Sequence, residues 1–564
     1  MTLNKIVKHI IIGIWLCQFL TPVLTGQGYN NPGSEERVIL FTDRSLYIAG
    51  EYICFSATII PENSFPNMII SKVLYVEMIT YNNVQIDAQK FQISNSLCTG
   101  IINIPRDLAT GIYYIKAYTK YMRNWGPESY SYNQINVIQS IENDSQFEHQ
   151  AANNYGTSKL LVPNYSDNEV FELETNKNEY KQKDTVIIKI KTIINPDSVK
   201  SACISVVPNN SGSNNRIVIE KNVNRNTDFT FEQEYNGIAL TGLLMDQTSD
   251  KLVSSKKVDL TIFGKYNDFI SVHTNSKGRF FFSLPYITGQ GNVFISTEKS
   301  DSISPSILID NDFCPYPVNM PYHRLTLSEN EQITALNLLR NFQINSLFSN
   351  ENLQLTDESS NNYTDPFYGY PVKKLNINDY VQLPTLEDYF NELSYLVKIR
   401  KFQGKKYLKI QGSRPEIDIY QPLILIDMVV VYDIDLILPI SSNSISHIDI
   451  INEPYVKGNA IYGGIVSIIS KNNDFGGINL PPSGAFITYD FLSNSTPVIK
   501  SSTADNIPDA RNTLYWNGNL TISDDSTNEI SFLTGNSQGR YDIILKGVLQ
   551  NGTVFSQAFS FKVE

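Results

Sequence analysis

Along most of the chain apolar and polar residues alternate with a period of two. The run "VILFTDRSLYIAGEYICFSATII" alternates and breaks at Ala49-Gly50, and "LATGIYYIKAYTKYMRN" resumes after the turn at Thr110-Gly111. "FELETNKNEYKQKDTVIIKIKTI", from Phe171 to Ile193, repeats the layout, and "KSACISVVPNN" adds a further strand. In "TNSKGRFFFSLP", Asn275 to Gly278 read as a turn, and Phe280 and Phe282 alternate inward. Short alternating runs between turn residues predict β-sandwiches. Two segments switch to helical spacing. Leu325 to Leu347 places Ile333, Leu336 and Leu339 on one face, with Ser328 as cap and Glu331 three residues on. A second helix is expected from Leu386, with Leu393, Leu396 and Val397 on one face. Between them, "SNENLQLTDESSNNYTDPFYGYPVKKLNIND" is polar and Asn-rich, and reads as a linker.

One run breaks the alternation. "QPLILIDMVVVYDIDLILPI", Gln421 to Ile440, is long and apolar enough to resemble a membrane span. Asp427, Asp433 and Asp435 would each cost about 2.5–3.5 kcal/mol near the middle of such a helix. Pro422 and Pro439 bracket the run, and Ile424, Ile426, Val429, Val430 and Val431 favour strands. Two buried strands joined around Met428 to Asp433 are therefore expected.

Three resemblances follow from these residues. "FTDRSLYIAGEYICFSATI" is similar to the opening strands of macroglobulin-type domains, with their "TD…Y…GE" pattern, and "GIYYIKAYTKYMRNWGPESY" looks like the end of the same domain. Gly237 to Asp310 resembles the transthyretin-like fold of carboxypeptidase regulatory domains, which implies a structural module without a peptidase. Leu383 to Lys471 resembles the plug domain of TonB-dependent outer-membrane receptors: a "PLILID" strand, an "I-x-x-I-x-I" strand, then "YVKGNAIYGGIVSIISK". The residues carrying this motif are Asp427, Tyr455, Gly458, Tyr462, Gly463 and Gly464. The resemblance gives them a structural role and makes them candidates for barrel contact. Glycine suits the last positions because backbones approach closely there. The "DG-x-P" turn usual in that family is replaced by Asp427-Met428-Val429-Val430, so an altered turn is expected. A receptor barrel needs about 22 strands of about ten residues. Only 93 residues follow Lys471, and they read as one more sandwich.

Composition narrows the chemistry. The net charge is −12, and no concentrated basic surface was apparent, so a nucleic-acid partner is not expected. The opening "MTLNKIVKHIIIGIWLCQFLTPVLTGQ" reads as a secretory signal, with cleavage near Gly26. Of the four later cysteines, Cys54 and Cys98 share a predicted domain and are the candidates for a disulfide, with buried free thiols as the alternative. No histidine has metal-site spacing and no Cys-Gly-Glu-Gln thioester run exists, so no metal, cofactor or covalent protease trap is expected. "GNSQG", Gly535 to Gly539, matches a nucleophile elbow in letters only. Ser537 sits between strand patterns, and no histidine follows His447.

The expected organisation is mainly β. A signal peptide occupies 1–26, a macroglobulin-type sandwich 27–145, a second sandwich 158–235 and a transthyretin-like domain 236–312. A helix and linker follow at 313–382, a plug-like α/β domain at 383–478 and a C-terminal sandwich at 479–564. These features imply a non-enzymatic exported protein, periplasmic and peripherally associated with the outer membrane, that docks on or occludes a β-barrel. In architecture it resembles the plug component of the type IX secretion translocon. No small-molecule ligand is evident. The alternative is an accessory ligand-binding module of TonB-dependent nutrient uptake, with Tyr130, Tyr132, Tyr363, Phe367 and Tyr368 as the aromatic candidates.

Overall fold

The computed structural model describes residues 35–62, 70–140, 160–161, 165–166, 169–212, 215–220, 230–264, 267–298, 303–318, 320–321, 324–348, 353–355, 366–412, 414–457, 460–479, 484–494, 497–499, 501, 507–522 and 527–564. The signal segment lies outside them. The architecture is mainly β. The first sandwich sets Glu36–Thr42, Tyr52–Pro61 and Leu97–Asn103 against a larger sheet built on Val73–Ile79, Gly111–Tyr118 and Ser131–Ile138. Tyr47, Tyr75, Tyr114, Tyr118 and Tyr132 fill its core with almost no exposure. A third unit carries one sheet around Ala239–Asp246 and another around Lys257–Phe263.

The second and C-terminal sandwiches expected from the sequence are one sandwich. Thr185–Thr192 pairs antiparallel with Thr527–Leu533, and Val199–Pro208 pairs with Gly539–Leu549. The strands at 171–208 bury Val186, Ile188, Ile190, Ile204 and Val206, and cannot cover that surface by themselves. Leu514, Phe532, Ile543, Leu545 and Phe561 from the chain end complete the core. The expected boundaries shift accordingly. Arg216–Ile219 joins the first sandwich beside Ser131–Ile138, and Ala485–Asp490 extends the sheet of the third unit.

The two sandwiches share a local device. In the first, the Tyr47 hydroxyl donates to Asp43 Oδ1 at 2.8 Å, and the same oxygen accepts from the Cys54 N–H. In the second, the Tyr180 hydroxyl donates to Asn176 Oδ1 at 2.6 Å, which also accepts from the Ile187 N–H. Each carries a cation next to that Asx residue and an acid seven positions after the cation, Arg44 with Glu51 and Lys177 with Asp184. The spacing is the same in both. In the first sandwich the network is buried and reaches the chain end: the Thr513 hydroxyl donates to Asp43 and the Asn512 amide to Glu51, both at 2.7 Å.

The helix at Glu329–Leu347 has the expected capping box, but its buried face is different. Ile333 and Leu336 are exposed, whereas Thr334, Ala335, Leu338 and Asn341 face inward. Asn341 donates to Asn512 and accepts from the Ser537 hydroxyl, so polar partners selected the face. The second helix ends at Glu392, and Val397 already opens a strand. The candidate disulfide is not formed. Cys54 faces Ile101 across the sheet and Cys98 faces Ala57. Three positions of offset put the two thiols on opposite faces, and both are free and buried.

A buried ion cluster joins the first sandwich to the third unit. The Asp312 carboxylate lies 2.6 Å from Lys90 Nζ and 3.1 Å from Lys120 Nζ, and accepts from the Tyr489 hydroxyl. Burial opposes the charge on Asp312, yet the two lysines outweigh burial and hold its carboxyl down at about 2. A depressed acid contributes stability that is complete above its unfolded pKa and lost as pH falls towards 2. Asp312→Asn leaves two buried cations uncompensated and is expected to cost about 3–5 kcal/mol, read as a lower urea midpoint at neutral pH. The loss should shrink when wild type and variant are compared near the bottom of that window. Truncation before Asp509 is expected to expose 171–192 to limited proteolysis and to lower the melting temperature of the first sandwich, whose Asp43 and Glu51 lose Thr513 and Asn512.

Candidate functional site

The stretch from Gln421 to Ile440 contains no helix long enough to cross a membrane. Leu423–Ile426 and Val429–Val430 form a hairpin at the end of a five-stranded sheet, in the order 373–376, 445–451, 465–470, 423–426, 429–430. Leu423–Ile426 runs parallel to Ile465–Ser470. Its side chains alternate between two cores: Ile424 and Ile426 pack beneath the helix Leu386–Glu392, and Leu423 and Leu425 pack on the opposite side. A strand covered on both faces reads as a continuous apolar run, which explains the likeness to a span.

Asp427 and Met428 form the two-residue turn, with φ of 45° and 69° and Ile426 facing Val429. Positive φ at both central residues is the hairpin geometry that glycine usually supplies. Here Asp427 holds it by side-chain bonds. Its carboxylate accepts from Ser470 N at 2.8 Å, Ser470 Oγ at 2.6 Å and Phe475 N at 2.8 Å. The tight turn is therefore present without its usual glycine. The Met428 carbonyl accepts from the Thr261 hydroxyl of the third unit at 2.9 Å.

The turn thus belongs to a contact between units. Phe269 of the third unit sits in one core with Leu423, Leu425, Met428, Val430 and Tyr462. The Tyr432 hydroxyl donates to Asp259 Oδ2 at 2.5 Å, and Ser271 donates to the other oxygen at 2.6 Å. Burial raises the Asp259 carboxyl above its ordinary range, and pushes the Tyr432 phenol well up. At the rim, Lys457 Nζ lies 2.7 Å from Asp268.

The structure brings Tyr455 and Tyr462 to this contact. Tyr462 is buried within it, and Tyr455, half-buried, donates from its hydroxyl to the Phe367 carbonyl. A Cβ on Gly463 would lie 2.2 Å from the Tyr420 carbonyl oxygen, and one on Gly464 would lie 2.5 Å from that of Ile451. Gly458 lies outside the described residues. Asp427, Gly463 and Gly464 make their close contacts within their own unit, whereas Tyr462 packs in the core that holds Phe269 of the third.

Other candidates fall away from ligand chemistry. Tyr130, Tyr132 and Tyr368 are buried and Phe367 is half-buried, so they are core residues rather than an aromatic platform; Tyr363 lies outside the described residues. Ser446 Oγ lies 3.1 Å from His447 Nδ1, but Asp449 is 3.8 Å from Nε2 and instead accepts from the Tyr368 hydroxyl. The ring is bound from the wrong sides for a Ser-His-Asp relay. Among the described residues no group of three or more His, Cys, Asp and Glu could hold a metal ion.

One feature escaped the sequence reading. The hairpin Val397–Phe402 and Lys405–Ile410 concentrates Lys398, Arg400, Lys401, Lys405, Lys406 and Lys409 in a chain of net charge −12. A local charge count over "VKIRKFQGKKYLKI" finds it.

No family model matches the chain, and no curated protein does. Among solved structures it is similar to Salmonella α2-macroglobulin reacted with methylamine, at 8% identity and TM-score 0.23, covering 94% of this chain and 40% of that one. Trypsin-activated α2-macroglobulin from Escherichia coli follows at 9% identity and TM-score 0.22, over 94% of this chain and 42% of that one. Dimeric latent PorU from Porphyromonas gingivalis overlays 49% of this chain and 34% of its own, at 9% identity and TM-score 0.16. The chain spans well under two thirds of the length of each.

Gly463→Ala is expected to destabilise by about 1–3 kcal/mol or more, because backbone must move to admit the methyl group. Gly404→Ala, at φ 82° with open space around it, should cost only about 1–2 kcal/mol. Urea midpoints of the two variants test the ordering. Tyr432→Phe removes a donor from buried Asp259 and should cost about 1–3 kcal/mol at neutral pH. A raised acid favours the folded state below its unfolded pKa and loses that contribution as pH rises through its folded pKa. The Tyr432→Phe deficit should therefore be smallest at acid pH, a trend that thermal melts across pH would show.

Proposed function

We propose that this chain is a non-enzymatic envelope protein that docks on an outer-membrane β-barrel through its plug-like unit, residues 383–478. The sandwiches form the support. The observation that carries the proposal is how the plug-like sheet is housed. Both its faces are covered within the chain, and beside it stand two separate hairpins with exposed side chains. In Tyr455–Tyr462, Tyr455 faces Tyr462 and anchors the hairpin, while the next pair, Val456 and Ile461, is 64% and 46% exposed. Exposed β-branched pairs on a strand ribbon suit contact with another β protein.

A protein-secretion translocon of type IX character is the finer form of this proposal, supported by the order of units and by the "YVKGNAIYGGIVSIISK" motif. The nutrient-uptake alternative has less support, because three of its five aromatics, Tyr130, Tyr132 and Tyr368, are buried.

A photo-crosslinking residue at Val456 or Ile461 is expected to capture one β-barrel protein in living cells, whereas the same residue at Val84, an exposed position on the first sandwich, should not. Equal labelling at the three positions would count against the hairpin as the contact.

A further inference from the structure

The ribbon Val397–Phe402 and Lys405–Ile410 has two unlike faces. Cross-strand register pairs Val397 with Ile410 and Ile399 with Leu408, and Val397, Leu408 and Ile410 are buried in the core beneath. The other face consists of the pairs Lys398–Lys409, Arg400–Tyr407 and Phe402–Lys405. Four cations and two aromatics thus share one outward surface, with Phe402 67% exposed and Tyr407 43% exposed.

Folding does not account for this face. Like charges directly opposite each other destabilise a ribbon, and exposed aromatic rings forgo burial. Lysines alone would serve to protect an edge strand from aggregation, but Phe402 and Tyr407 work against that purpose. Internal ion pairs absorb only part of the charge. Lys406 is held by Glu387 at 2.8 Å, and Lys409 lies 3.2 Å from Asp418. Lys398, Arg400, Lys401 and Lys405 have no ion pair among the described residues.

Among the described residues the ribbon is a two-stranded sheet, and the second edge of Lys405–Ile410 has no partner strand there. A cleft of about 900 Å³ lies beside it, lined by every residue of that strand and, across the gap, by the segments Ile417–Ile424 and Val430–Tyr432. Lys257 and His273 add basic groups to its wall, and Asp418 and Glu298 are its carboxylates.

We propose that this cleft binds an extended acidic polypeptide segment, which adds as a third strand along Lys405–Ile410. Main-chain hydrogen bonds to the open edge supply affinity, and alternate side chains supply selectivity. Acidic residues at every second position would face the row Lys405, Tyr407 and Lys409, and the apolar residues between them would point to the opposite face, on the side of Leu408 and Ile410. A strand edge beside a cleft favours a peptide over a lipid surface or a nucleic acid, neither of which uses the edge. This inference is independent of the barrel proposal, since the acidic segment need not belong to a barrel.

The test uses the full exported chain and a fluorescent peptide of alternating glutamate and valine, followed by anisotropy. Saturable binding is expected, weakened about tenfold or more in the glutamine counterpart and in the double variant Arg400→Glu, Lys405→Glu. Phe402→Ser with Tyr407→Ser should weaken it several-fold, and melting temperatures should stay near wild type. Methylating alternate main-chain nitrogens of the peptide should abolish binding. Equal affinity for the glutamate and glutamine peptides would overturn the proposal, as would binding that survives N-methylation. Preference for phosphatidylglycerol vesicles or for single-stranded oligonucleotides over the peptide would overturn it as well.

Discussion

One buried polar junction brings the far end of the chain back to the first sandwich. Asp43, Arg44 and Glu51 form a desolvated cluster in the first sandwich, and Asn512 and Thr513 from the far end of the chain satisfy it. Arg511, paired with Asp509 at 2.7 Å, fixes the segment that carries them, and Asn341 ties in the long helix through Asn512. Buried charges leave little freedom, since each unmet group would cost several kcal/mol. The chain must therefore return to where it began. That return also completes the second sandwich, whose strands lie on both sides of the third unit and the plug-like unit in sequence.

The consequence for function is positional. The plug-like unit is inserted at both ends into a closed framework, and it is seated on the third unit through Thr261–Met428, Asp259–Tyr432 and the core around Phe269. Tyr455 and Tyr462 serve this seat, while Asp427, Gly463 and Gly464 hold the unit's own backbone together. The hairpin at 455–462 and the basic ribbon at 397–410 are among the surfaces it leaves outward, within reach of a partner.

Local features were legible in the sequence and distant ones were not. Alternation marked most strands, the Ser328–Glu331 capping box marked the long helix, and three aspartates with two prolines excluded a span at 421–440. The need for glycine at Gly463 and Gly464 follows from close backbone approach, which the motif suggested and the geometry displays. The pairing of Thr185 with Leu533 left no local trace, because a strand's partner is chosen by complementary faces that any amphipathic strand could offer. The helix face was misread since Asn341 and Thr334 are held inward by specific hydrogen bonds, against hydropathy. The Asp427-Met428 turn looked altered because composition does not show that Ser470 and Phe475 can hold positive φ in place. The basic ribbon was hidden by the acidity of the whole, although a short window would have shown it.

The plug-like unit is proposed to hold this chain to an outer-membrane barrel. The most direct measurement is purification through a C-terminal tag from detergent-solubilised outer membranes, after crosslinking in intact cells. The account predicts recovery of one large β-barrel in near-stoichiometric amount. Recovery of the chain alone, soluble and without a barrel, would contradict it.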